Sequence, residues 1–413
     1  MKEESIIFPQ MVEIGCGLDV HKSTVVATVN GQGLRKETRE YSTFTSSLIE
    51  LRTWLQSVGV THIAMESTGI YWKPVMKILE TAGFTILVVN ARHIKYVPGH
   101  KTDKKDSAWI CKLLLAGLLK GSFIPPVSIR DLRDLTRYHR KLTQIISADK
   151  NRIIKTLEDG NIKLSMVLSD VNGASGTAII EAIIAGERDT VKLMLLCKGG
   201  IKASPENIQK ALEGRLTNHH QFMLKTLQES IKRTEITKLG IEARIEELLK
   251  PYAEEIALLD EIPGVGKQSA GEIIAEIGTD MSVFPDAKHI SSWAGMCPGN
   301  NESAGKKKSG RTTKGNKNLR AVLCECSWAA SHTKGTFLAS KYKKMVGRRG
   351  RNRTIVAIGH NILVIAYNML KNKTHYNELG EEFMDEKRKK NKILYYRNML
   401  KELGVEIPEK QSA

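Results

Sequence analysis

Residues 298–320 read PGNNESAGKKKSGRTTKGNKNLR and set one carboxylate and one hydroxyl, Glu302 and Ser303, at the head of a cationic, glycine-spaced segment. Two readings of Ser303 stand side by side. In one it decorates a solvated, nucleic-acid-binding loop. In the other it is a nucleophile for phosphodiester chemistry, with Lys306, Lys307, Lys308, Arg311, Lys314, Lys317 and Arg320 positioning the backbone and offsetting transition-state charge. Gly305, Gly310 and Gly315 would permit close approach of the chain to DNA. A serine hydroxyl is a poor nucleophile until a base or a metal activates it, and no histidine stands in this segment. Activation must come from elsewhere. Four acids are candidates: Asp19 in GLDVHKS, Glu66 in AMESTG, and Asp103 and Asp106 in KTDKKDSAWICKLLLAG. The last two lie three apart at a helix start and share a face. Each acid also has an ordinary reading, as a turn residue or as a carboxylate favoured by a helix dipole.

The elements that would gather these acids are legible. From 12 to 43 the chain reads as strands, VEIGCGLDV, STVVATV and LRKETREYSTF, with the turn signal NGQG between the last two. A helix at SSLIELRTWLQSVG follows, then the strand THIAME, a helix from Trp72, the strand FTILVVN and a helix over 103–117. Three antiparallel strands followed by alternating helices and strands predict a mixed α/β, ribonuclease-H-like layer. In that layout the first and fourth strands are neighbours and the last helix crosses the same end of the sheet. The four acids would then converge and need cations, for which Mg²⁺ or Mn²⁺ suits hard oxygen ligands. Two such ions roughly 3.5 to 4 Å apart assist phosphodiester cleavage in other two-metal sites.

After Pro125 and Pro126 the sequence turns helical and charged. Leu132, Leu135, His139, Leu142, Ile146, Asp149 and Ile153 form one heptad-like seam; Leu224, Leu227, Ile231, Thr234, Lys238, Ile241, Ile245, Leu248 and Tyr252 form a second. These predict a helical connector of two helices packed as a hairpin or across protomers, with polar members at 139, 149, 234 and 238 that argue against long continuous coils. EIPGVGKQSAGEIIAEIG then reads as a helix-hairpin-helix whose Gly264, Gly266 and Lys267 would offer phosphate contacts from a tight turn and a helix start. The division expected is 1–124, 125–256, 257–375 and a charged tail over 376–413. Arg130, Arg133, Arg137, Arg140 and Lys141, and likewise Arg348, Arg349, Arg351 and Arg353, are expected to bind nucleic-acid backbone. His360 is read as a core histidine, and Trp72, Trp109, Trp293 and Trp328 as core or anchor residues rather than stacking platforms.

Composition agrees with a polyanionic partner. The 413 residues carry a formal net charge of +18. No uninterrupted apolar run approaches a spanning length and the N-terminus lacks a secretory pattern, so a cytoplasmic, membrane-free protein is expected. The six cysteines form no CxxC pair, which leaves no zinc site or disulfide framework.

Taken in order, GLDVHKS, MESTGIYWKPV, KTDKKDSAWI, LRDLTRYHRKLTQ, IPGVGKQSAGEIIAEIG, FPDAKHISSWAGMCPGNNESAGK and RRGRNRTIVAIGHNILVIAYNML resemble the DEDD transposases of insertion sequences, the IS-one-ten family, over residues 14–372. The resemblance implies a recombinase guided by a structured non-coding bridge RNA and acting on donor and target DNA. It implies a RuvC-like domain, a coiled-coil connector and a transposase domain. It also implies that Asp19, Glu66, Asp103 and Asp106 are the four acids, that Ser303 is the nucleophile, and that a homo-oligomer brings the acids of one subunit to the serine of another. Where relatives often carry two adjacent serines, this chain has Glu302 followed by Ser303, so the role falls to Ser303. The alternatives are a junction-resolving nuclease that activates water, with Ser303 idle, and a non-catalytic protein that bridges nucleic-acid strands.

Overall fold

A computed structural model describes residues 11–67, 69–90, 106–299, 301–303, 306–309 and 311–402. The chain divides into two compact units, Met1–Ile124 and Pro125–Ala413.

The first unit is built on a five-stranded sheet, β1 (Ile14–Val20), β2 (Thr24–Gly31), β3 (Leu34–Ser42), β4 (His62–Glu66) and β5 (Thr85–Val89), in the order β3-β2-β1-β4-β5. β1 pairs antiparallel with β2 and parallel with β4, which pairs parallel with β5. Strand character follows position. Central β1 is buried along nearly its whole length, whereas edge strand β3, LRKETREYS, is almost wholly exposed, and its charges discourage pairing with another chain. The hairpin expected from Asn-Gly forms two residues later: Asn30 and Gly31 end β2, and the turn is Gln32–Gly33. Helices α1 (Thr45–Ser57), α2 (Trp72–Leu79) and α3 (Asp106–Leu115) complete the unit. The core on one side gathers Leu18, Val25, Leu48, Leu51, Leu55, Ile63 and Met65; on the other, Ile110, Leu113 and Leu114 pack against Ala64 and Val89.

The second unit is mainly helical: α4 (Val127–Asp159), α5 (Leu164–Val167), α6 (Ala174–Ile184), α7 (Thr190–Leu195), α8 (Pro205–Leu212), α9 (Asn218–Leu249), α10 (Ala253–Asp260), α11 (Lys267–Ile277), α12 (Ala287–Trp293), α13 (Lys317–His332), α14 (Phe337–Arg349), α15 (Arg351–Asn372) and α16 (Phe383–Glu402). A small hairpin, β6 (Asn301–Ser303) and β7 (Lys306–Ser309), lies between α12 and α13. The long helices α4 and α9 run antiparallel, since His220 meets Asp159, Ser230 meets Asp149 and Glu242 meets His139. Those contacts explain the polar seam residues. Asp149, 5% exposed, accepts from Ser230 and Arg152, and buried His139 shares a 2.8 Å hydrogen bond with Glu242. The α9 seam is buried only at Leu224, Leu227 and Ile231; beyond Thr234 it is half-exposed. Short helices α5 to α8 close over the far end of the pair around Ile179, Ile180, Ile183 and Leu193.

One helix differs from the sequence expectation. α15 is long and apolar enough to cross a membrane by length and composition, with half of its most apolar window buried inside the unit. It is a core helix: Ile358, Ile362, Leu363 and Ala366 are fully buried, and the Tyr367 hydroxyl donates to the Phe284 carbonyl at 3.0 Å.

Candidate functional site

Three of the four acids lie at one end of the sheet. In the β1–β4 register Leu18 opposes Met65, so Asp19 and Glu66 are the next residues on adjacent parallel strands. α3 crosses β1 in the opposite sense. Its Cys111 thiol donates to the Gly15 carbonyl, its Ser107 hydroxyl is 2.8 Å from Thr28 Oγ1, and its first residue is Asp106. The approach is close because residue 17 is glycine: a β-carbon there would stand 2.2 Å from the Ser107 carbonyl oxygen. The start of α3 therefore sits at the Asp19 end of β1. Asp19 Oδ2 is 3.0 Å from Nε2 of the exposed His21. Among the described residues the acids do not form a three-membered group at metal-holding distances, and Asp103 lies outside those residues. As a donor set, the carboxylates of Asp19, Glu66 and Asp106 are the hard oxygen ligands that Mg²⁺ or Mn²⁺ requires.

In the second unit, Ser303 ends β6, and the antiparallel register pairs it with Lys306 and Glu302 with Lys307. The lysine run thus forms the second strand of a ladder rather than an irregular loop. The base of this hairpin is held at several points. Pro298 bridges Thr312, and the Gly299 amide donates to the Arg311 carbonyl at 3.0 Å. Arg320, expected at a DNA phosphate, donates from Nη1 to Thr312 Oγ1 at 2.7 Å. Gly315 is required by packing within the chain: a β-carbon on it would lie 2.2 Å from the Gly295 amide nitrogen, and one on Gly295 would lie 2.6 Å from the Gly315 nitrogen. The two glycines let the strands cross in direct backbone contact. Lys314 and Lys317 are exposed, as is Arg311. Gly305 and Gly310 lie outside the described residues, as do the side chains of Ser303, Lys306, Lys307 and Lys308.

The expected basic face of α4 is redirected inward. Glu276 on α11 is 2% exposed and accepts both Nε and Nη2 of Arg137 at 2.8 Å, a two-pronged pair. Arg133 donates to the carbonyls of Ala275 and Glu276, closing the C-terminal turn of α11, and burial pulls its pKa down to about 10. Arg140 pairs with Glu272 and Glu325. These arginines join helices rather than present a solvated phosphate-binding face, because each meets an acid from another helix. Arg130 is half-buried and Lys141 exposed.

The predicted helix-hairpin-helix segment forms α10, a turn over 261–266, and α11. Its two glycines differ. Gly264, at φ +86, packs so tightly on α13 that a β-carbon would lie 2.4 Å from the Cys326 carbonyl oxygen and the Ala330 nitrogen. Gly266 borders open space, heads α11 without a side-chain cap, and is exposed beside Lys267. At the other end, Arg348, Arg349, Arg351 and Arg353 are all exposed around Gly350. Of the two roles expected for Trp328, core or anchor, the core one does not hold: it is 41% exposed, with the Arg351 guanidinium 4.0 Å from its ring centroid and His332 edge-on at 4.4 Å. Trp72 and Trp109 pack against the cores of the first unit, Trp293 packs on Phe284, and His360 is half-buried with its pKa lowered by that burial.

Sequence reasoning passed over Glu276 and Asn316. Asn316 Nδ2 donates to Glu276 Oε2 at 2.6 Å while its Oδ1 caps α13. The available signal was a lone carboxylate in the otherwise buried stretch IIAEIG.

Comparison with known proteins gives consistent matches along the chain. A DEDD transposase model of the IS110 type, described as "Transposase", matches residues 16–162, and a second, "Transposase IS116/IS110/IS902 family", matches residues 256–343. Two curated relatives, the pilin gene-inverting proteins of Moraxella lacunata and Moraxella bovis, are each 24% identical over 375 residues, which is 86% of this chain and 95% of theirs.

Proposed function

Since this chain belongs to the IS110 family of insertion-sequence transposases, we propose that it recombines DNA through a serine–phosphate link, using the acids of its first unit and Ser303 of its second. The observation that carries the reading is the placement of Asp19, Glu66 and the α3 start at a single sheet end, the arrangement a ribonuclease-H-like, DEDD chemistry requires. Asp19, Glu66, Asp103 and Asp106 would hold Mg²⁺ or Mn²⁺, and such an ion supplies Lewis acidity and lowers the pKa of a neighbouring hydroxyl.

The residues of the chain then divide the work. Ser303 Oγ forms a bond to a backbone phosphorus as the bond from that phosphorus to a deoxyribose oxygen breaks. The hydroxyl proton leaves to a base from outside the hairpin, and the departing oxygen takes a proton in return. Because no water is consumed, the phosphodiester is conserved, and a deoxyribose hydroxyl of the second DNA reverses the step to rejoin the strands. Lys314, Lys317 and the exposed Gly266–Lys267 helix start hold the backbone phosphates. Acids and serine come from different copies in a homo-oligomer. A structured non-coding RNA chooses donor and target by base pairing, so that this strongly basic protein reads backbone and shape. The Moraxella relatives are named for gene inversion, and inversion between two sites is a natural outcome of the same exchange.

Adduct trapping tests the chemistry. Incubated with DNA carrying the element and its flanks, plus RNA transcribed from those flanks, the parent protein is expected to yield a denaturant-resistant protein–DNA adduct. Ser303→Ala should yield none and should not join strands. Parental cleavage by Ser303→Ala would replace this reading with a nuclease that activates water.

A further inference from the structure

The hairpin carrying Ser303 is too small to fix its own position. β6 and β7 have three and four residues, and an isolated two-stranded hairpin is marginal in water. Its placement must be imposed at its base. Most of the contacts there, Pro298 with Thr312, Gly299 with Arg311, Gly295 with Gly315 and Arg320 with Thr312, tie the hairpin's two legs to each other or to the helix that follows. They set the shape of the arm.

Two contacts among the described residues reach out to the body of the unit: Met296, 2% exposed, packs against Gly359 of α15, and Asn316 makes a polar one. Asn316 follows the crossing glycine Gly315 and uses both ends of its amide: Oδ1 accepts from the amides of Asn318 and Leu319 at the head of α13, and Nδ2 donates to Glu276 Oε2 at 2.6 Å. Glu276 is itself locked, 2% exposed on α11 and clasped by both prongs of Arg137 from α4. A buried carboxylate with that set of donors has little freedom to move, because any displacement leaves a charge or an amide unpaired.

We propose that Asn316 and Glu276 are positioning residues for strand exchange, keying the base of the serine hairpin to the α11–α4 ion pair so that Ser303 meets the phosphate in line. The inference rests on the reading of Ser303 as the nucleophile. A misplacement of about 1 Å at a reacting centre can cost on the order of a hundredfold in rate, whereas binding of extended DNA by dispersed cations is nearly indifferent to it.

The test separates anchoring from capping. Asn316→Ser keeps a good N-cap but cannot reach Glu276. It is expected to lower the single-turnover rate of adduct formation by about tenfold or more, with DNA affinity within about twofold of the parent and a cooperative thermal transition still above the assay temperature. Asn316→Asp keeps the cap and sets a carboxylate against Glu276, so the rate should fall further. Ser303→Ala is run in the same assay. If it still forms adducts and joins strands, the nucleophile assignment fails. If it is inactive while Asn316→Ser works at the parental rate, positioning by Asn316 is wrong. Loss of rate matched by loss of DNA affinity, or explained by unfolding at the assay temperature, would reduce Asn316 to a structural cap and overturn the inference.

Discussion

Two arginine clusters in the second unit look alike in sequence and meet opposite fates in the fold. Arg133, Arg137 and Arg140 on α4 find Glu276, Glu272 and Glu325, and the most buried of them, Arg133, has its pKa pulled down to about 10. Arg348, Arg349 and Arg353 are exposed, and among the described residues none of them pairs with a carboxylate. The first cluster is part of the architecture and the second is a surface. What separates them is the position of acids contributed by other helices, not the number or spacing of arginines. An ion pair held in a helix interface has given up its hydration and no longer attracts a polyanion, while a hydrated guanidinium does so through counterion release.

Removing the shared acid is the severest test of that contrast. Glu276→Ala strips Arg137 of both hydrogen bonds and Arg133 of its 3.6 Å ion pair while leaving Arg133 its bonds to two carbonyls, and breaking a buried pair from one side costs about 3–5 kcal/mol. Denaturant unfolding should register a loss of that order. The surface double variant, Arg348→Ala with Arg349→Ala, should stay within about 0.5 kcal/mol of the parent. If Glu276→Ala unfolds like the parent, the α4 arginines are not architectural and the contrast collapses.

Salt titration of DNA binding probes the same difference from the other side. Each phosphate contact contributes about 0.9 to the slope of log K against log salt, so the double variant at 348 and 349 is expected to flatten the slope by about 1.8. Arg137→Ala, measured under conditions where it remains folded, should leave the slope unchanged. A flatter slope for Arg137→Ala would mean that its guanidinium leaves Glu276 for DNA.

Much of this was readable in the residues, and the failures have a common physical origin. The order of strands and helices pointed to a mixed sheet with its first and fourth strands adjacent, and the heptad seams marked α4 and α9. Patterns local to one segment survive folding because they encode the face that segment buries. The partners of the seam's polar members, Asp149 with Ser230 and His139 with Glu242, were not legible, since each pair spans scores of residues. The inward turn of the α4 arginines failed for the same reason: the deciding residue, Glu276, lies on a helix far along the chain. KKKSG read as a loop because charge run and turn glycines outweigh the weak strand propensity of lysine, yet the crossing of Gly295 and Gly315 draws its flanks into a ladder. Of the candidate site, Asp19, Glu66, Asp106 and Ser303 were nameable from motifs together with the family resemblance they carry, whereas Asn316, whose role depends on a contact with Glu276, was not.

Arg351 falls between the two clusters and yields the smallest effect. It belongs by sequence to the exposed group, but its guanidinium lies 4.0 Å from the Trp328 ring centroid, so its partner is an aromatic face instead of a carboxylate or solvent. Such a contact at a partly exposed site is worth about 0.5–1 kcal/mol and keeps the charge hydrated on its outer side. Arg351→Leu should therefore lower stability by about that amount, more than Arg348→Ala and far less than Glu276→Ala. It should also flatten the salt slope by about 0.9 if the stacked cation still faces a phosphate. Tryptophan fluorescence reports the first effect and the DNA titration the second. A stability loss with an unchanged slope would move Arg351 into the architectural group, and the boundary between the two clusters would then run through the first turn of α15 rather than at Gly350.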